Sequence, residues 1–486
     1  MKSFRTIGRG SRFHIALAIV LVLGWPSAGS AVDVYVATTG SDKNPGTEAQ
    51  PKQTIAAGLG SLGAGGTLFI RGGTYPQGKT LSINKGGASN AARTIVRPYQ
   101  SEKVAIVGSG GNTISIDASF VTLAGLDISQ ADPDSTEPGK KGGHGILIWK
   151  KHDVTVSGCT IHHIRGSGVF VGSDDYNATA KTSSVSNILF EGNTVHHTCM
   201  SNSARTAKGW GQGLSSFFSV GTVFRKNVVY KNWGEGINLC ENDRALVEGN
   251  IIYDNYSVNL YLDHATNATV RDNLLYTSDD KDRKDFFPYW SKTTSPGNGI
   301  LLANENTKKQ TNSGHKIYNN ISINCGSGIH VSGSLADSLI AHNTFVVGAE
   351  WGTGIGGGKD AVNCSLVNNI VVSSGRALGG ASTQGKWTSD YNLWFGGKCS
   401  GIRGAHDIAA NPRFATGSGL LADGYRLQAA SPAINKGTPV SDVTKDYWGA
   451  PRPQGATVDI GACEFGAGGS KSDPLPGGKD EKKSSR

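Results

Sequence analysis

Asparagine recurs at a fixed interval in this chain, and that interval limits the fold more than any other feature. Asn227, Asn250 and Asn273 are each 23 residues apart, and each opens a short apolar run (NVVY, NIIY, NLLY). The steps from Asn320 to Asn343 and from Asn369 to Asn392 repeat the 23 residues, Asn193 holds the place upstream, and Cys159 stands in the equivalent position before it. A period of this size marks a solenoid, in which each unit buries its apolar face only by stacking on the next. The units alternate apolar and polar residues over short runs, so they are strands, and the solenoid is an all-β parallel β-helix. An Asn pointing inward at a corner can bond backbone and the Asn above and below it, so these residues are expected to form a structural ladder rather than to catalyse.

A second recurring pattern, Gly followed by alternating apolar residues, begins strands at Gly145, Gly168, Gly213, Gly236, Ser257, Gly299, Gly328 and Gly354. Residues one and three after each start should face inward, and those one before and two after should face outward. Two insertions interrupt the period just before this strand: 198–211, which carries Trp210, and 277–297, which carries Phe286, Phe287, Tyr289 and Trp290. Long loops in a tight solenoid are usually functional, and these aromatics are expected to form two walls beside the rungs at Gly213, Gly236 and Ser257.

Between those walls the outward residues turn polar. They are Gln212, Ser215, Glu235, Asn238, Tyr256, Asn259 and Tyr261, followed at the strand ends by Glu241, Asn242, Asp243, Asp263, His264, Asn304 and Glu305. Glu235 is the sharpest of these, a carboxylate between two glycines in NWGEGIN beside Trp233, with no structural need for a charge there. Flat aromatic faces beside hydrogen-bonding groups suit a sugar polymer. Solvated strand faces and turn-forming Asp or Glu are the plainer explanation of the same residues.

The chain ends frame this core. Lys2, Arg5, Arg9 and Arg12 precede an apolar stretch from Ile15 to Trp25 and a small-residue site at 28–31, which reads as a signal peptide over 1–31 and a secreted or periplasmic protein. The polar, Gly- and Pro-rich end 466–486 reads as disordered. Of the formal charge of +9, the leader carries four and the tail a net two, leaving three for the core. That is no nucleic-acid footprint, though it is compatible with an acidic polysaccharide. Seven Cys, an odd number, show no metal-type spacing, and Cys159, Cys240 and Cys325 fall in rungs as small buried hydrophobes.

The mature start, VDVYVATTGSDKNPGT, predicts a strand over Val34–Ala37, a short amphipathic capping helix near Thr54–Leu59, and a strand over Thr67–Arg71. This opening, with PKQTIAAGL and GGTLFIRGGTY, resembles that of secreted right-handed parallel β-helix proteins of the pectate-lyase-like superfamily. The closing stretches SDYNLWFGG, NPRF, SPAINKG and DYWGAPRPQGATVDIGACEF resemble the final rungs of the same group. The resemblance implies a cap and first rungs over 32–110 and a β-helix with closing rungs over 111–465. A monomer is expected, and the lyase-rich fold, the export signal, the mildly basic core and the amides, Tyr and His of the groove together give the expectation of an acidic, uronate-containing polysaccharide as substrate. A lyase is the first expectation: His264, Tyr261 or a loop cation as base, with Asn238, Asn259, Arg165 or a bound Ca²⁺ against the uronate carboxylate. A hydrolase would pair Glu235 with Asp263. An epimerase is a third course, since GEGINLCEND is similar in shape to a segment of mannuronan C5-epimerases, with Asn238 and Cys240 replacing its Asp and His. A polysaccharide-binding adhesin is the non-catalytic alternative. Trp210, Gln212, Trp233, Tyr289 and Trp290 complete the expected substrate-binding set.

Overall fold

Short runs of β-branched and aliphatic residues separated by polar corners give each 23-residue unit three strands and three bends. In the computed structural model, which describes residues 32–133, 142–202, 211–278, 297–305, 310–348, 352–378, 387–398, 404–466 and 468, these units stack as a parallel β-helix. One turn serves for all. Glu235–Cys240 pairs with Gln212–Phe217 below and Val258–Asp263 above. Leu246–Glu248 lies between Val223–Arg225 and Thr269–Arg271, and Ile251–Tyr253 between Val228–Tyr230 and Leu274–Tyr276. All these pairings are parallel and in register, so every side chain sits over its counterpart about 4.8 Å away. The three faces are called here the first, second and third sheets. Inside, Ile237, Leu239, Val247 and Ile252 are fully buried, and their counterparts in other turns continue one apolar core.

The asparagine ladder runs as the period predicts. Each Nδ2 donates to the next Oδ1 at 2.9–3.0 Å from Asn193 through Asn227, Asn250, Asn273, Asn320, Asn343 and Asn369 to Asn392. Each Oδ1 also accepts a backbone N–H from the preceding rung; Asn193 takes that of Cys159 at 3.0 Å. Every polar group of this buried corner therefore has a partner. A second, shorter ladder follows the third sheet, from Thr198 through Asn232 and Asn255 to Asn259.

The helix Ile55–Ser61 is the sole α-helix among the described residues and caps the first turn. Thr54 Oγ1 accepts the N–H of Ala57 at its start, and Ile55 and Leu59 are buried. Gly58 packs so closely on Val36 and Leu68 that a Cβ would lie 2.5 Å from Val36 Cγ2.

The C-terminal stretch departs from expectation. After Leu393–Lys398 it adds the two-residue strand Ile408–Ala409, and residues 410–466 contribute no further strand. Instead of closing rungs, they run back along the outside of the third sheet. Tyr425, Leu427, Tyr447, Trp448 and Ile460 share one buried cluster with Ile251, Tyr253, Leu274, Tyr276, Ile321 and Ile370. The reason is visible in the sheet itself, whose outer face here carries apolar side chains that need cover. Asn319 Nδ2 donates to the carbonyl of Lys445 at 2.7 Å and Arg452 Nη2 to Asn319 Oδ1 at 3.2 Å, tying the segment down. Arg452 and Glu464 form a fully buried ion pair at 2.6 Å. The leader 1–31, nearly all of the tail 466–486, and Cys399 lie outside the described residues. The other six Cys are unpaired and buried. No described helix is long and apolar enough to cross a membrane.

Candidate active site

Glycine shapes the first sheet. Pairing aligns Gly145, Gly168, Gly213, Gly236, residue 259, Gly299, Gly328 and Gly354 in one column. At Gly236 an added Cβ would stand 2.4 Å from the carbonyl oxygen of residue 259, and at Gly234 one would stand 1.8 Å from that of Gly211. Neighbouring turns thus approach too closely for any side chain on either side of Glu235. The column is broken only at Asn259, which corrects the alignment expected from Ser257. Asn259 points inward and ends the second ladder, donating to the Tyr276 carbonyl at 3.2 Å and accepting from Asn255. It is a structural residue and does not reach the outer face.

With that register, three outward columns emerge. Gln212, Glu235 and Val258 form the first, Ser215, Asn238, Tyr261 and Leu301 the second, and Phe217, Cys240, Asp263 and Ala303 the third. They floor a cleft of about 550 Å³, which Phe218, Ser257 and Glu305 also line. Of the expected residues it brings together Gln212, Glu235, Asn238, Tyr261 and Asp263. Phe217, Phe218, Val258 and Leu301 supply the apolar part, and Phe217 stacks on Phe170 at 5.1 Å.

Glu235 is 6% exposed, and its Oε2 accepts from Asn238 Nδ2 at 2.7 Å. Burial pushes its carboxyl from 4.5 to about 8; the Asn238 hydrogen bond opposes this, and the charges of Glu305 and Asp263 add to it. At neutral pH it is a carboxylic acid. Asp263 is also raised by burial, but its ionised form has more support. The backbone N–H of Glu305 donates to Oδ1 at 3.0 Å, the Cys240 thiol donates to Oδ2 at 3.7 Å, and His264 lies nearby. Tyr261 is held far above the usual phenol range by burial and by the carboxylates around it. Its hydroxyl makes no well-aligned hydrogen bond, and neither does Asn238 Oδ1. Cys240, expected inside the core, faces the cleft, and burial raises its thiol, so it stays protonated.

Four expected residues lie elsewhere. His264 sits behind Asp263 rather than in the cleft, its Nδ1 against the Gln310 carbonyl and its Nε2 3.7 Å from Asp263 Oδ1. Trp233 is buried with Cys199 and Met200, next to Tyr256. Arg165 turns to Asp132, donating to its carbonyl at 2.6 Å and its carboxylate at 3.0 Å. Asn259 is in the ladder. Trp210, Phe286, Phe287, Tyr289 and Trp290, expected as walls, lie outside the described residues. Among the described residues no group of three or more His, Cys, Asp or Glu is placed to hold a metal ion.

The pattern described as the Pel9A-like, right-handed β-helix region matches residues 34–340. Pectate lyase PEL9 of Emericella nidulans is 37% identical over 92 residues, 18% of this chain and 22% of that protein. Pectate lyase L of Paenibacillus polymyxa is 26% identical over 167 residues, 33% of this chain and 34% of that protein. The matched stretches thus span between a fifth and a third of those relatives. Among solved structures, the complex of XylC with xylose superposes with a TM-score of 0.58 at 11% identity, covering 89% of this chain and 98% of that one. That likeness is one of fold.

Proposed function

Because the chain belongs to the Pel9A-like right-handed β-helix family, we propose that it is a carbohydrate-active enzyme that cleaves a glycosidic bond in the carboxylate-lined cleft. The observation that carries this reading is Glu235, a buried carboxyl group on the cleft floor bonded to Asn238, where burial and the nearby Asp263 and Glu305 favour its protonated form. Hydrolysis is the course these groups support best. Glu235 gives its proton to the departing glycosidic oxygen, while Asp263, supported in its ionised form by an N–H, a thiol and an imidazole, activates water or attacks the anomeric carbon. Tyr261 and Asn238 offer hydrogen bonds to the sugar between them, and Phe217 and Leu301 offer apolar surface.

A second reading is β-elimination, favoured by the two pectate lyase relatives. There Asp263 would take the proton beside a uronate carboxyl and Glu235 or Tyr261 would protonate the leaving oxygen. The leader pattern at 1–31 supports export to meet such a polymer.

One experiment separates the courses. The purified protein is incubated with a panel of neutral and uronate polysaccharides, following reducing ends and the ultraviolet absorbance of unsaturated uronates. Reducing ends alone mean hydrolysis, both signals mean elimination, and a Glu235→Gln variant should lose either one. Undiminished turnover in that variant would remove Glu235 from the mechanism.

A further inference from the structure

We propose, building on the reading of the cleft as a glycan-cleaving site, that the subsite over Asn238 and Tyr261 takes an uncharged, hydroxyl-bearing sugar unit and disfavours a uronate.

The argument starts from what the floor can bond. Asn238 lines the cleft and is almost wholly buried; its Nδ2 donates to Glu235, and its Oδ1 is a buried acceptor without a hydrogen-bond partner. An unpaired buried acceptor is costly until something donates to it. A sugar hydroxyl donates; an ionised uronate carboxylate cannot. The Tyr261 hydroxyl, also buried and poorly aligned with its neighbour Glu305, stands one rung above Asn238 in the same column. The two point to one ligand with several hydroxyl groups spread along the column.

Charge agrees with bonding. Asp263 and Glu305 line the same cleft and act on each other and on Glu235. A uronate carboxylate brought beside these two carboxyl groups, partly shielded from water, finds no countercharge in them and is repelled wherever they are ionised. The apolar side chains of Val258 and Leu301 present surface to the carbon-bound hydrogens of a sugar ring, which every pyranose has and which carries no demand for charge.

The test uses the full-length protein carrying Glu235→Gln, so that binding is read without turnover. Xylan, mixed-linkage glucan and galactan are compared with de-esterified homogalacturonan, and with fully methyl-esterified homogalacturonan, which keeps the backbone and masks the charge. At least one neutral polymer should bind tenfold or more tightly than de-esterified homogalacturonan. Adding Glu305→Gln should narrow that gap. Tighter binding of the de-esterified polymer than of every neutral one, or no binding of any neutral polymer, would overturn the proposal, as would a gap that Glu305→Gln leaves unchanged. The outcome is separable from the enzyme reading. Cleavage of a uronate polymer that depends on Glu235 would refute the neutral subsite and keep the acid, whereas neutral-glycan cleavage indifferent to Glu235→Gln would do the reverse.

Discussion

Asn238 Nδ2 donates to Glu235 Oε2 over 2.7 Å, three residues back along the same strand. This bond opposes the rise in the Glu235 carboxyl, yet burial still carries it to about 8. The amide therefore orients an acid whose proton the cleft retains.

The acid is visible in the pH dependence. A group that must be protonated to act, titrating near 8, gives turnover that is sustained at neutral pH and falls as pH rises through about 8. Glu235→Gln should lower kcat by roughly 10²–10⁴-fold. A rate profile of the wild type that stays flat beyond pH 9 would contradict the assignment.

Stability should show the same group with the opposite use. The folded state holds a proton on Glu235 between 4.5 and about 8 that the unfolded chain releases, so this residue makes the protein less stable as pH rises through that window. Thermal unfolding of Glu235→Gln, scanned across the window, should show a shallower decline than the wild type.

The ladder can be probed at its middle. Asn250 accepts from Asn227 N and Nδ2, and donates to Asn273 Oδ1 and the Phe224 carbonyl. Asn250→Ala leaves several buried groups unpaired, at about 1–3 kcal/mol each. Denaturant titration should show a loss of several kcal/mol, beyond that of an alanine substitution at an exposed Asn such as Asn90.

The Gly column gives a paired test. Gly236→Ala places a methyl 2.4 Å from a carbonyl oxygen and should both destabilise the protein and distort the cleft, with activity falling alongside stability. Asn259→Gly restores the column and removes only the end of the second ladder, so it should cost about 1–2 kcal/mol and leave the secondary structure intact by circular dichroism.

The buried pair Arg452–Glu464 holds the returning C-terminal segment. Glu464→Gln leaves the guanidinium without its countercharge, which typically costs about 3–5 kcal/mol. Limited proteolysis should then cut within 404–466 sooner than in the wild type.

Most of the architecture can be read in the sequence because repetition amplifies it. One Asn is a weak signal; eight in register are a ladder, and the helix near Thr54 is fixed by its cap and by the open end it covers. Glu235, Asn238, Tyr261 and Asp263 were legible because outward columns follow from strand alternation. Asn259 was not, since Ser257 and Val258 precede it where other turns carry glycine. Counting from the ladder places it correctly: Gly236 lies nine residues after Asn227, as Asn259 does after Asn250. Phe217, Val258 and Leu301 went unnoticed because apolar residues on a strand look like core until the register is known. His264 and Trp233 needed the fold of the corners, where His264 takes a positive φ of 52° and its ring lies against the Gln310 carbonyl. The C-terminal segment carries motifs but no period, and only the apolar outer face of the third sheet explains where it goes.

That returning segment changes how such a coil must come apart. In a plain solenoid each turn touches only the turns beside it, so the ends fray first and independently. Here Lys445, Thr438 and Ala462 bond to Asn319, Asn368 and Thr344, so the returning segment fastens turns laid down 126, 70 and 118 positions earlier. The far end cannot loosen without stripping the strap, and the middle turns stay uncovered until the strap arrives. Truncation after residue 403 should therefore be felt in the turns around Asn319 and Thr344 rather than at the cut, as faster amide exchange there.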